Sequence, residues 1–196
     1  MFKFKSASAI ALSIILAAST AMPTMAARVY NADTNAFEEV VPRTSSRRGS
    51  AIRKEIVEYK TNHKVGTIVI ETDERRLYLV LEDGKAMKYG VGVGRDGFTW
   101  SGTHRITRKA EWPGWTPPAQ MRKRVPDLPA YMPGGPENPL GARALYIGST
   151  LYRVHGTSEP WSIGQAVSSG CIRLTNDDVA DLYERVAVGA KIVVNH

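Results

Sequence analysis

The chain has 196 residues, with 26 Lys and Arg against 19 Asp and Glu, for a formal net charge of +7. That length suits one domain of about 100–150 residues behind a lead-in. The basic balance favours anionic surroundings such as cell-wall polymers or lipid head groups; no nucleic-acid-binding motif is present, and no nucleic-acid partner is expected.

Residues 1–27 read as an export signal: Lys3 and Lys5, an apolar run from Ala9 to Ala18, then the small pair Ala26-Ala27. The run is shorter than the roughly 20 apolar residues that span a bilayer. An uncleaved anchor is the alternative, but nothing after it reads as stop-transfer. Cleavage after Ala27 removes two lysines and no acid, which takes the charge from +7 to +5. No later segment is apolar enough for a membrane helix, so the mature protein is expected to be exported, in the periplasm or cell envelope. Residues 28–59 read as a polar arm or linker and lead-in. The charged, Ser-rich run Arg43–Ser50 either holds the domain near an anionic surface or is a solvated tail.

The remaining residues, 60–196, read as one mainly β domain. Val57 and Tyr59 hint at a first strand just before it. Thr67–Ile70, Leu77–Leu81 and Met87–Val93 are strand runs, with Asp83-Gly84 as a hairpin turn, and together they predict an antiparallel meander. Glycines at 90, 92 and 94 suggest a bulge or a close backbone approach. Residues 95–141 are rich in Gly, Pro and aromatics and read as a long ordered loop, functional by its length. Its Trp and Tyr residues either wall a cleft or cover one end of the core. Strand signals return at Leu145–Ile147 and Leu151–Val154, the second delivering His155. Thr175 and the acidic residues after it open a helix with Val179, Leu182, Tyr183 and Val186 at helical spacing, ended by Gly189. Lys191–Val194 reads as a last strand.

The one cysteine, Cys171, lies sixteen residues after His155, with Gly, Ser, Thr and Pro between them. An unpaired thiol in an exported protein is either buried and inert or reactive. A thiol is strongly nucleophilic as thiolate, and an imidazole that takes its proton supplies that form. If strand and loop fold back, His155 is the general base, the Gly156 carbonyl orients its other nitrogen, and the N–H groups of Gly170 and Cys171 form an oxyanion hole. The chemistry would be acyl transfer through a thioester. One Cys and scattered histidines do not supply a zinc ligand set, so no metal or other cofactor is expected.

Val154-His155-Gly156-Thr157 followed by Ser168-Ser169-Gly170-Cys171-Ile172-Arg173-Leu174 resembles the signature of the L,D-transpeptidase catalytic (YkuD) domain. The resemblance extends through Gly66–Val80, Trp115–Pro118 and Asn138–Gly141, roughly residues 60–194. It implies a β-sandwich-like catalytic domain with one helix after the cysteine, acting on peptidoglycan stem peptides. Such enzymes cleave after the third stem residue, a diamino acid, and release the terminal D-alanine. They pass the acyl group to a second stem as a 3→3 cross-link; some relatives attach an outer-membrane protein instead, or hydrolyse or exchange the terminal residue. Carried over, Cys171 is the nucleophile, His155 the base, and the Gly156 carbonyl its orienter. Arg173, Ser169 and Trp115 are expected at the substrate cleft, although Arg173 in a structural ion pair is an equal reading. Ser169 stands where many members carry His, and His104 where an aromatic is common, which reads as a packing substitution. A papain-like protease is disfavoured because His precedes Cys and no long helix carries the Cys. The alternative from another class is a non-catalytic envelope-binding domain that keeps the fold.

Overall fold

The structure, a computed structural model, describes residues 52–196 and the backbone pairing of 27–31 with 36–40. The expected signal over 1–27, Ala27 apart, and the charged run Arg43–Ser50 lie outside the described residues. Where the lead-in reads as irregular, β1 (Ala27–Asn31) and β2 (Ala36–Val40) pair as an antiparallel hairpin.

β-Branched and aromatic runs with tight turns build the first half of the main sheet. β4 (Ile68–Glu71), β5 (Arg76–Val80) and β6 (Lys85–Gly90) form the expected antiparallel meander. The turn residue Asp83 takes φ 56° and Gly84 φ 67°, the left-handed geometry that a two-residue hairpin requires. β3 (Glu55–Glu58) adds to the edge at β6, so the sheet begins inside the segment read as lead-in. Tyr59 lies just past β3 and stacks on Tyr78 with ring centroids 4.7 Å apart.

Two expectations fail here. The strand read as Met87–Val93 breaks after Gly90. β7 (Val93–Gly94) leaves the sheet to pair in parallel with β11 (Ala166–Ser168). A Cβ on Gly94 would lie 2.4 Å from the Phe98 carbonyl oxygen, so the backbone does approach closely there. Second, 95–141 is not all loop. It holds the ten-residue β8 (Gly102–Glu111) and the short helix α1 (Ala119–Arg124).

β8 joins the two halves of the nine-stranded sheet. Its first residues pair with β13 (Lys191–Asn195), which in turn runs parallel to β4. After an irregularity between Ile106 and Arg108, its later residues pair with β9 (Arg143–Ile147). β9 pairs with β10 (Arg153–His155), and β10 runs parallel to β12 (Ile172–Arg173). Both halves turn apolar faces into one core: Ile68, Ile70, Leu77 and Ile192 from one side, Leu145, Ile147, Val154 and Ile172 from the other. α2 (Asn176–Arg185) covers this core with Val179 and Leu182. Thr175 caps it, its side chain accepting the Asp178 N–H at 3.1 Å, and two acids occupy its positive first turn. The helix ends at Arg185, before Gly189, which takes φ 94° in the following turn.

Candidate active site

The parallel pairing of β10 and β12 places the chemistry. Val154 is level with Ile172, and His155 with Arg173. Side chains alternate along a strand, so Val154 and Ile172 enter the core while His155 and Arg173 share the opposite face. Arg153 stands two residues before His155 on the same strand face, and Cys171 immediately precedes Ile172. All four side chains line one cavity of about 720 Å³, with Ser169 at its exposed rim.

His155 is 4% exposed, and its Nδ1 lies 2.5 Å from the Gly156 carbonyl oxygen. A carbonyl only accepts, so Nδ1 carries the hydrogen and Nε2 the lone pair. Burial pushes the imidazole down to about 3; the nearby Arg173 charge adds to this, while the Gly156 and Leu140 carbonyls partly oppose it. The ring is therefore neutral at physiological pH. The Leu140 carbonyl comes from the Asn138–Gly141 turn. There the Asn138 side chain accepts the Leu140 N–H at 2.9 Å and donates to the Pro133 carbonyl at 2.9 Å.

Cys171 is partly exposed, its thiol directed at the Leu151 carbonyl with Sγ 4.0 Å away. The turn before it is tightly held. Ser168 Oγ donates to the Cys171 carbonyl at 2.6 Å and accepts the Gly170 N–H at 3.1 Å. The Gly170 N–H, expected as an oxyanion donor, is thus committed to Ser168. Gly170 takes φ 103°, and Trp100 Nε1 donates to its carbonyl at 2.7 Å. Trp100 also stacks on Tyr152 at 4.5 Å, and His104 packs edge-on against Trp100 at 5.7 Å.

Arg173 lines the cavity but is paired: Nη1 donates to Glu159 Oε2 at 3.3 Å, both side chains being almost wholly buried. Its availability to a substrate carboxylate is accordingly reduced. Trp115 does both things open to it. It lines the cavity and packs with Leu128 and Leu140 in a small core of its own. Sequence reasoning missed Glu159 and Ser168. The signal for Glu159 was an Arg on the face of a catalytic strand, which needs a counter-ion once buried. Among the described residues, no group of three His, Cys, Asp or Glu side chains is placed to hold a metal ion.

Residues 65–194 match the model of the L,D-transpeptidase catalytic domain (YkuD). The chain belongs to this family, whose members are cysteine-dependent acyltransferases. It is 41% identical over 136 residues to the probable L,D-transpeptidase ErfK/SrfK of Escherichia coli, covering 65% of this chain and 43% of that one. It thus spans under half the length of that relative. A solved structure from Brucella melitensis, described as a probable carnitine operon oxidoreductase, is 42% identical with a TM-score of 0.52; the match covers 76% of this chain and 96% of that one. L,D-transpeptidase 3 from Mycobacterium tuberculosis shares the fold, with a TM-score of 0.51 at 18% identity, over 67% of this chain and 61% of that one.

Proposed function

We propose that this protein is an exported L,D-transpeptidase that forms a thioester with a peptidoglycan tetrapeptide stem and makes 3→3 cross-links. The observation that carries the reading is the shared cavity face of Cys171 and His155, with the histidine tautomer set by Gly156. Nε2 takes the thiol proton as Sγ adds to the carbonyl carbon after the third stem residue. With the Gly170 N–H held by Ser168, the Cys171 N–H is the donor left to meet the developing oxyanion. Collapse breaks the C–N bond, and the imidazolium returns its proton to the departing amine of D-alanine. In the second half, Nε2 takes a proton from the incoming side-chain amine of another stem as that amine attacks the thioester. The new amide forms, and the expelled thiolate recovers the proton. The neutral resting state of His155 suits a base that accepts a proton only as the S–C bond forms. The buried Glu159 offsets the Arg173 charge beside it.

Export is part of the same reading and rests on residues 1–27, since peptidoglycan lies outside the cytoplasm. Among the described residues no helix is long and apolar enough to cross a membrane. Incubating purified protein with tetrapeptide-bearing muropeptides should release D-alanine and yield dimers. If Cys171→Ala produced as much of both, the mechanism would be wrong. Products carrying water, a free amino acid or an outer-membrane protein in place of the second stem would redirect the acceptor and keep the thioester.

A further inference from the structure

We propose that Arg153 anchors the free α-carboxylate of the amino acid that leaves during acylation, and so restricts the reaction to the carboxyl end of a peptide. The inference rests on the thioester reading above. Arg153 and Cys171 immediately precede the paired residues Val154 and Ile172, and both line the same cavity. Its Nε is buried without a hydrogen-bond partner. Arg143 also has a buried, unpartnered Nε, but its other nitrogens donate to the Ala142 carbonyl at 3.0 Å and pair with Glu111 at 3.2 Å. For Arg153, the contact among the described residues is the Tyr146 ring, 5.4 Å from Cζ. Tyr146 carries Arg108 as well, at 3.6 Å, so the ring meets two cations and neutralises neither. A guanidinium partly withdrawn from water beside a nucleophile, with no carboxylate paired to it among the described residues, is a site for an anionic ligand group.

The spacing selects which group. His155 returns its proton to the leaving amine, and Arg153 stands two residues earlier on the same strand face, about 6.6 Å away along the strand. In an α-amino acid the nitrogen and the carboxyl carbon are about 2.5 Å apart. With a hydrogen bond of about 2.8 Å at each end, such a residue spans about 8 Å, which exceeds the backbone spacing of the two positions. An amine leaving at His155 therefore brings its own carboxylate to Arg153. The other cavity cations are less suited. Arg173 is held by Glu159, and Arg122 is an exposed residue of α1. A peptide that continues past the leaving residue, or ends in an amide, offers Arg153 no charge.

The test compares two donors that differ only at the terminus, a tetrapeptide ending in free D-alanine and the same peptide ending in D-alaninamide. Wild type is expected to prefer the acid by about 10- to 100-fold in kcat/KM, the range for a charge-assisted pair. Arg153→Gln should lower kcat/KM for the acid by a similar factor, mostly through KM, and move the amide by less than about threefold. Arg153→Lys should restore part of the preference. Equal losses on both donors would mean a structural role and overturn the proposal. So would a wild-type enzyme indifferent to the terminus, a comparison that needs no variant to fold. If wild type formed no thioester with either donor, the functional reading itself would fail and take this one with it. Intact mass separates that case from the other two.

Discussion

Replacing Glu159 by Gln removes one charge from a pair buried at 3.3 Å and leaves the Arg173 guanidinium without its carboxylate in a site 6% exposed. Breaking a buried pair from one side costs about 3–5 kcal/mol, because the surviving charge keeps its desolvation penalty. At about 2–4 °C per kcal/mol for a chain of this size, the midpoint of thermal unfolding should fall by roughly 10 °C. The assay is circular dichroism of the full chain, heated with the thiol kept reduced. Replacing both partners by apolar side chains of similar size, Glu159→Leu with Arg173→Met, should cost less than Glu159→Gln alone, because no charge is then stranded. A loss below about 1 kcal/mol for Glu159→Gln would refute the argument. So would a double variant worse than the sum of its parts.

Stability should also follow the protonation of His155. Its folded value of about 3 lies below the unfolded value of about 6.5. Between the two, the unfolded chain binds a proton that the folded one does not. The contribution is therefore complete above about pH 6.5 and falls by about 1.4 kcal/mol per unit as the pH drops towards 3. Urea titrations of wild type against His155→Gln across that window isolate the slope from the carboxylates, and a slope unchanged by the substitution would sink the assignment. Gly170→Ala should destabilise by about 2 kcal/mol or more and slow alkylation of Cys171 by iodoacetamide. The residue takes φ 103°, and a Cβ would sit 2.5 Å from Tyr152 Cε1. Asn176→Ala should cost about 1–3 kcal/mol in urea unfolding, because Asn176 Oδ1 accepts the Ala142 N–H at 2.9 Å and that donor would be left unmet.

The meander and the helix after Cys171 were legible because their apolar residues recur at the periods of strand and helix. β8 was not, for a reason visible in its side chains. Of its ten residues only Ile106 is fully buried, and the strand reads Gly-Thr-His-Arg-Ile-Thr-Arg-Lys-Ala-Glu. Backbone pairing on both sides holds it, while its cations cover rings: Arg108 on Tyr146 at 3.6 Å and Lys109 on Tyr183 at 4.0 Å. A strand that trades apolar alternation for cation–π cover has no hydrophobic period to read. α1 was missed because it has only six residues and follows Pro117-Pro118. At the site, Cys171 and His155 stood out by residue type and spacing. The commitment of the Gly170 N–H to Ser168 did not, since it depends on how one serine rotates within a turn. Glu159 owes its place to a long-range pairing with Arg173, and the parallel pairing of β10 with β12 that aligns the site is equally non-local.

The excursion between β8 and β9 is pinched at its base, where the Trp112 N–H donates to the Ala142 carbonyl at 2.8 Å just beyond the last pair of the two strands. Inside it, Trp115, Leu128 and Leu140 hold a core separate from the one under the sheet. The entropy of closing this segment is therefore met by strand pairing that exists whatever the segment contains, and lengthening it adds only about 0.6 kcal/mol per doubling. One wall of the cavity can accordingly be lengthened, shortened or exchanged while the strands that carry Cys171 and His155 keep their register. The shape of that wall and the stability of the scaffold are thereby placed on parts of the chain that can vary separately.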